Sequence, residues 1–301
     1  MRANVALLIA VAAVGVSLHG QTATLTDVLG KAAAYHTDYT RKVSGVSLQE
    51  EAQLMDVSGG KTRAIVRVSS DVVLVNLNGE VTALRDPYAV DTRPLRPREP
   101  RILRLLGAPA TPTVNDWLTA GAYPNDSVHY FMLDIVVKVN EPTLALQFIS
   151  GANQPRLKYK LDGKKKINNV AVVGVRFEEP ENPYGKYMLP TRSNAKASGR
   201  FWIDPTTGAI HQTELWLESK QEKTMSESAM VTVKYAPHAT LGFLLPYQMH
   251  DSYEHVEGGG GPRQMGEGGD PMSSIAGRAS VQSRATYSNA TFAAINLAKI
   301  R

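Results

Sequence analysis

The 301-residue sequence contains no cysteine. A disulfide framework, a cysteine metal site, a thiol nucleophile and a lipid-modified cysteine are thereby excluded. Charge of one sign is nearly as scarce, with 33 Lys and Arg against 28 Asp and Glu, a net of +5. The two signs are interspersed, which argues against nucleic acid as a partner. Two local cationic concentrations, Arg93 to Arg104 and Arg156 to Lys166, read as solvated surface. Their second reading is contact with anionic lipid head groups or an acidic partner.

Catalytic motifs are also missing. There is no Gly-x-Ser-x-Gly elbow, no phosphate-cradling glycine loop and no His-Glu-x-x-His pair, so neither an enzyme nor a cofactor is expected. A hydrolase assembled from scattered polar residues is the distant rival. His250, Asp251, Glu254 and His255 have the composition of a metal site but the wrong spacing. On a strand, His250 and Glu254 stand roughly 13 Å apart at about 3.3 Å per residue, too far to meet one ion. No metal is expected there.

One nearly unbroken apolar run exists, interrupted only by a glycine. Val5 to Val16, after Arg2, has the layout of a signal peptide and is too short for a membrane-spanning helix of about 20 residues. Residues 1–22 are expected to be removed on export to the periplasm or beyond, leaving 23–301 as one soluble, monomeric domain. A chain of that length can bury an ordinary core without disulfides.

In the mature part, Leu25, Val28, Leu29, Ala32, His36 and Tyr39 recur at helical spacing, with Thr24 or Thr26 as the cap, predicting an amphipathic helix. Period-two alternation then dominates. Leu157, Tyr159 and Leu161 share one face with charges on the other; Val66, Val68, Val72 and Leu74 form a second such set. Val173, Val175 and Phe177, then Val231, Val233 and Tyr235, then Leu245, Tyr247 and Met249 continue the series. Hairpin turns are predicted at Ser58-Gly59-Gly60, Asn78-Gly79, Asp162-Gly163 and Asp204-Pro205-Thr206-Thr207-Gly208. Strands with one polar face fit an antiparallel sheet and exclude a doubly wound nucleotide-binding core.

Two short helices are predicted between Pro97 and Ala120, and a third helical piece or buried strand after Pro142. The glycine-rich segment 257–271 is predicted to be a mobile loop. The fold class expected is therefore α+β, a highly curved antiparallel sheet, an incomplete β-barrel, with helices covering its concave face. Export and the one-sided strands together suggest that this face holds an apolar ligand or lipid without catalysis. The wall residues named for it are Leu157, Tyr159, Leu161, Trp202, Tyr235, Leu245 and Tyr247. The alternative is a cell-envelope protein-binding or structural module with a filled core.

The stretch Gly199-Arg200-Phe201-Trp202-Ile203-Asp204-Pro205-Thr206-Thr207-Gly208-Ala209-Ile210, returning through Thr213-Glu214-Leu215, resembles a hairpin of the outer-membrane lipoprotein-sorting superfamily. That resemblance implies an incomplete antiparallel barrel, capped by helices and open to acyl chains. Across most of the mature part, the chain is also similar to a group of uncharacterised exported proteins of acidobacterial soil bacteria. Leu84-Arg85-Asp86-Pro87-Tyr88-Ala89-Val90-Asp91, Pro142-Thr143-Leu144-Ala145-Leu146-Gln147-Phe148, Val231-Thr232-Val233-Lys234-Tyr235 and Ala285-Thr286-Tyr287-Ser288-Asn289 carry that similarity. Neither resemblance transfers a functional residue.

Overall fold

A computed structural model describes residues 23–58, 61–108, 140–180, 195–221, 225–257, 278–293 and 295. The signal-like segment, the second helix expected before Ala120 and most of the glycine-rich segment lie outside these residues.

Helix α1 spans Leu25–Lys42, and Thr24 caps it by accepting the Asp27 amide through its hydroxyl. Asp27 in the first turn and Arg41 and Lys42 in the last complement the helix dipole. Eleven strands follow: β1 Val46–Ser58, β2 Lys61–Leu77, β3 Glu80–Val90, β4 Arg93–Pro94, β5 Lys158–Ile167 and β6 Val170–Glu178. The rest are β7 Lys196–Ile203, β8 Ile210–Gln221, β9 Met225–Pro237, β10 Leu244–Glu257 and β11 Arg278–Phe292. All belong to one sheet in the order β4-β3-β2-β1-β11-β10-β9-β8-β7-β6-β5. Every described pairing is antiparallel. The sheet is open, with β4 and β5 as its two edges. β1 and β11 form a seam near its middle, where Ala52 lies opposite Ala285.

The alternating residues of these strands sort onto two faces. The inner face gathers Leu48, Ala52, Val68, Val72, Val175, Phe177, Phe201, Leu215, Val233, Tyr235 and Met249 into one buried cluster with Val28, Ala32 and Tyr39 of α1. A 3-10 segment, Leu144–Ile149, adds Leu146 and Phe148. Phe148 stacks on Phe177 at 4.9 Å, and Phe177 on Phe201 at 5.0 Å, which ties that segment to the sheet.

Helix α2, Arg101–Gly107, lies on the opposite face, where Ile102 and Leu106 meet Val73, Val75 and Leu84. The helices are therefore not all on one side, contrary to the sequence expectation. Val72, Val73, Leu74 and Val75 are apolar at both parities, so this part of β2 needs cover on both faces.

One predicted turn is also displaced. Asp162-Gly163 sits inside β5 at a register shift between Leu161 and Lys164, with Gly163 at φ +88°. The hairpin turns instead at Asn168-Asn169, both with positive φ. Two consecutive left-handed residues suit a tight β-turn, and the glycine takes up the bulge. The turns at Asn78-Gly79 and Asp204 to Gly208 stand where predicted.

Candidate functional site

The predicted wall residues do not form one surface. Tyr235 and Leu245 are buried in the inner cluster, and the Tyr235 hydroxyl donates to the Pro142 carbonyl at 2.6 Å. Leu157 and Tyr159 are half-buried against the same cluster, with the Tyr159 hydroxyl on the Phe148 carbonyl. Leu161 faces the same way but belongs to the edge strand and is 45% exposed. Tyr247 is 37% exposed, because a bulge between Pro246 and Gln248 breaks the alternation of β10.

Trp202 lies on the outer face. Its indole N–H donates to Glu214 at 2.9 Å, and the Lys165 ammonium sits 3.8 Å from the ring centroid. Neighbours on a strand point to opposite sides; Phe201 and Ile203 take the inner face, so Trp202 falls on the outer one, where its neighbours cover it to 7% exposure.

A polar cluster that the sequence reading did not name sits in the apolar interior. The alternation of Leu48, Glu50, Ala52 and Leu54 along β1 places Glu50 on the inner face, and Ala83 and Arg85 of β3 face it across β2. Both charged residues are fully buried. Arg85 donates through Nε to Glu50 Oε2 at 2.8 Å and through Nη2 to Glu50 Oε1 at 3.0 Å. Nη2 also donates to Asn140 Oδ1 at 3.2 Å.

Glu141 completes the cluster from the loop before the 3-10 segment. One of its oxygens accepts the Ala83 amide at 2.9 Å; the other faces Arg85 Nη1 at 3.9 Å, and neither of those two atoms has a hydrogen bond. Burial would lower the Arg85 pKa, but the facing Glu50 and Glu141 carboxylates more than offset this and raise it. Asp86 projects to the other side of β3, where Arg96 holds it at 2.6 Å and Arg101 at 3.2 Å.

Glu141 also borders a cleft of about 70 Å³ with His36, Thr40, Val81, Leu146 and Gln147. That is room for several waters. Leu157, Tyr159 and Tyr247 are not part of it.

His250 lies beside Asp251 on β10 and pairs with Thr232 and Arg284, as a strand residue should. Among the described residues, no group of His, Asp and Glu is arranged to hold a metal ion.

No protein-family model and no curated protein matches the chain. Solved structures to which the chain is similar include two. One, assigned as an outer membrane lipoprotein-sorting protein domain from Vibrio parahaemolyticus, is 8% identical over 87% of this chain and 91% of its own, with a TM-score of 0.35. The other, a DUF1329 family protein from Desulfovibrio piger, is 11% identical over 90% of this chain and 94% of its own, also with a TM-score of 0.35. Function is read below from this chain's own residues.

The buried carboxyls make stability pH-dependent. Burial pushes Glu141 up to about 7, against the opposing pull of Arg85 and the Ala83 amide, and it pushes Asp251 up to about 6. A raised carboxyl favours the fold while protonated. Its contribution is complete below the ordinary carboxylate range and is lost as pH rises through about 6 to 7. His36, His211 and His250 work oppositely: burial lowers their pKa, so their contribution is present above the ordinary histidine range and is lost on acidification.

Because these trends partly cancel in the wild type, the informative quantity is its difference from Glu141→Gln. Urea melts should show the two proteins within about 0.5 kcal/mol of each other near pH 5. By about pH 8 the variant should be more stable by roughly 1–2 kcal/mol. A difference that does not change with pH would mean that Glu141 stays ionised in the fold.

Proposed function

We propose that the protein holds or carries an apolar ligand, such as a lipid or acyl chain, in a trough formed by the inner face of the open sheet curling around α1. It works after export and without catalysing a reaction. The observation that carries this reading is the border of the inner cluster. Leu25 and Leu29 of α1, Leu144, Leu157, Tyr159 and Phe243 pack there only half-buried, and Leu161 beside them is 45% exposed. A core sealed by its own chain would cover such side chains; half-buried apolar groups at its border supply places that an apolar molecule can wet.

In this reading α1 is a plug. Tethers at its N-terminal half hold it: Lys31 Nζ donates to the Pro205 carbonyl at 2.9 Å, and Gln154 donates to the Leu29 carbonyl at 3.0 Å. Cargo must shift the helix before it reaches the interior, so apparent affinity is reduced by the small population of the open form. Each buried methylene contributes about 0.8 kcal/mol, and a chain of a dozen methylenes leaves micromolar binding after association and opening costs.

Native mass spectrometry of gently purified protein should show co-purifying lipid, and a fluorescent fatty acid should bind with micromolar affinity. Leu29→Asp should weaken that binding at least tenfold while leaving the fold intact, because its side chain sits at the border. A lipid-free protein that also ignores the fluorescent fatty acid would leave the filled envelope module as the better account, and labelling by serine-hydrolase probes would point to catalysis.

A further inference from the structure

One edge of the sheet carries a dense run of positive charge. From Arg156 to Glu178, the β5–β6 hairpin and its approach, there are seven Lys or Arg against two Asp or Glu, a net of +5. That equals the net charge of the entire chain, whose other residues carry 26 of each sign. Six of the cations fall within the eleven residues 156–166. Lys158, Lys160, Lys164 and Lys166 are exposed.

Lys165 lies over Trp202, and Asp162 is taken up by Arg200 at 2.7 Å and Arg176 at 3.4 Å. The hairpin's own acid at the bulge is therefore already neutralised, and the exposed lysines face solvent without it. One or two lysines are enough to keep an edge strand from pairing with another chain; six in eleven residues exceed that purpose. The same edge carries Leu161, 45% exposed, on the face it shares with Lys164 and Lys166, while Lys158 and Lys160 stand on the other face of the edge strand. Cations flanking a protruding apolar side chain match the layout of a lipid interface, where phosphates meet the ammonium groups and the leucine enters the acyl boundary.

We propose that the β5–β6 hairpin is a docking edge for an anionic bilayer surface, with Lys158, Lys160, Lys164 and Lys166 on the head-group phosphates and Leu161 inserted between them. The edge adjoins the half-buried border at Leu157 and Tyr159, so docking would present that border to the membrane. This inference does not depend on cargo: the hairpin would bind a vesicle whether or not the interior accepts a lipid, so either proposal can fail alone.

The test is co-sedimentation of the full chain, without its signal segment, with vesicles of phosphatidylcholine alone or with about a third phosphatidylglycerol, at about 0.05 M and about 0.5 M salt. Binding should be at least tenfold stronger to the anionic vesicles and should disappear at the higher salt. Replacing Lys160, Lys164 and Lys166 with Gln should weaken it about a hundredfold, at roughly fivefold per cation. Leu161→Ser should weaken the low-salt binding severalfold. The same change of charge made elsewhere, at Lys61, Arg67 and Arg93, should have little effect. The inference is overturned if that control weakens binding as much as the hairpin variant, if both vesicle types bind alike, or if the folded protein binds neither at low salt.

Discussion

Arg85→Met should remove roughly 3–5 kcal/mol of stability, the largest loss expected from a single substitution in this protein. The guanidinium is wholly buried, with two of its nitrogens on Glu50 and one of these also on Asn140. Without it, the Glu50 carboxylate remains in an apolar interior with no cation, and the facing Glu141 loses its nearest positive charge. Desolvation of an unpaired charge is far more costly than loss of the pair as a whole.

The double variant Glu50→Gln, Arg85→Met should therefore recover at least half of the loss. Chemical denaturation of the three proteins measures it. A single variant that loses less than about 1 kcal/mol, or a double variant no better than the single one, would show that the cluster is wetter than its burial implies.

Gly208→Ala should cost roughly 2–4 kcal/mol, combining left-handed strain with overpacking. Gly208 closes the β7–β8 turn at φ +80°, and a Cβ there would lie 2.3 Å from the Lys31 carbonyl oxygen of α1. The turn can approach the helix backbone this closely only because the residue has no side chain. Gly79→Ala is the control, since Gly79 has φ +91° but open space around it; it should cost only about 1 kcal/mol. Hydrogen exchange should locate the difference between the two variants in α1, whose amides should open faster in Gly208→Ala alone. Equal costs and equal exchange in both would mean that the turn does not clamp the helix. If α1 is the plug, the Gly208 variant should also take up a fluorescent fatty acid faster.

Much of the architecture was legible from period and turn chemistry. α1 announced itself by its 3.6-residue spacing and the Thr24 cap. The sets on β2, β6 and β9 each lie on the inner face, because alternation has a physical cause that survives tertiary context. The failures have local causes too. Tyr247 followed the pattern Leu245-x-Tyr247-x-Met249, but the bulge at Pro246 shifts the phase, and proline's missing N–H favours a break there. Trp202 falls out of phase with the inner face, because Phe201 and Ile203 on either side of it take that face.

The buried ion cluster had a signal that went unused. Glu50 occupies a position that Leu48, Ala52 and Leu54 reserve for apolar side chains, and a charge in such a place predicts a buried partner. The identity of that partner, Arg85, depends on the pairing of β1, β2 and β3, which no single strand encodes. Glu141 reaches the cluster from a loop, where periodicity has nothing to say.

The strand order has a consequence for how the chain comes to be folded. Strands β1 and β11 are neighbours, and Asn289 donates to Gln49 across 240 positions of sequence. During synthesis, β1 through β4 can zip together early, but β1's other side waits for β11 to arrive. Until then a long unpaired strand border stands open on both halves, a template for intermolecular association. Closing a loop of that size is slow for topological reasons alone. Joining the two halves at this seam is thus the expected rate-limiting event, and a nascent chain arrested before β11 is the species that needs a chaperone.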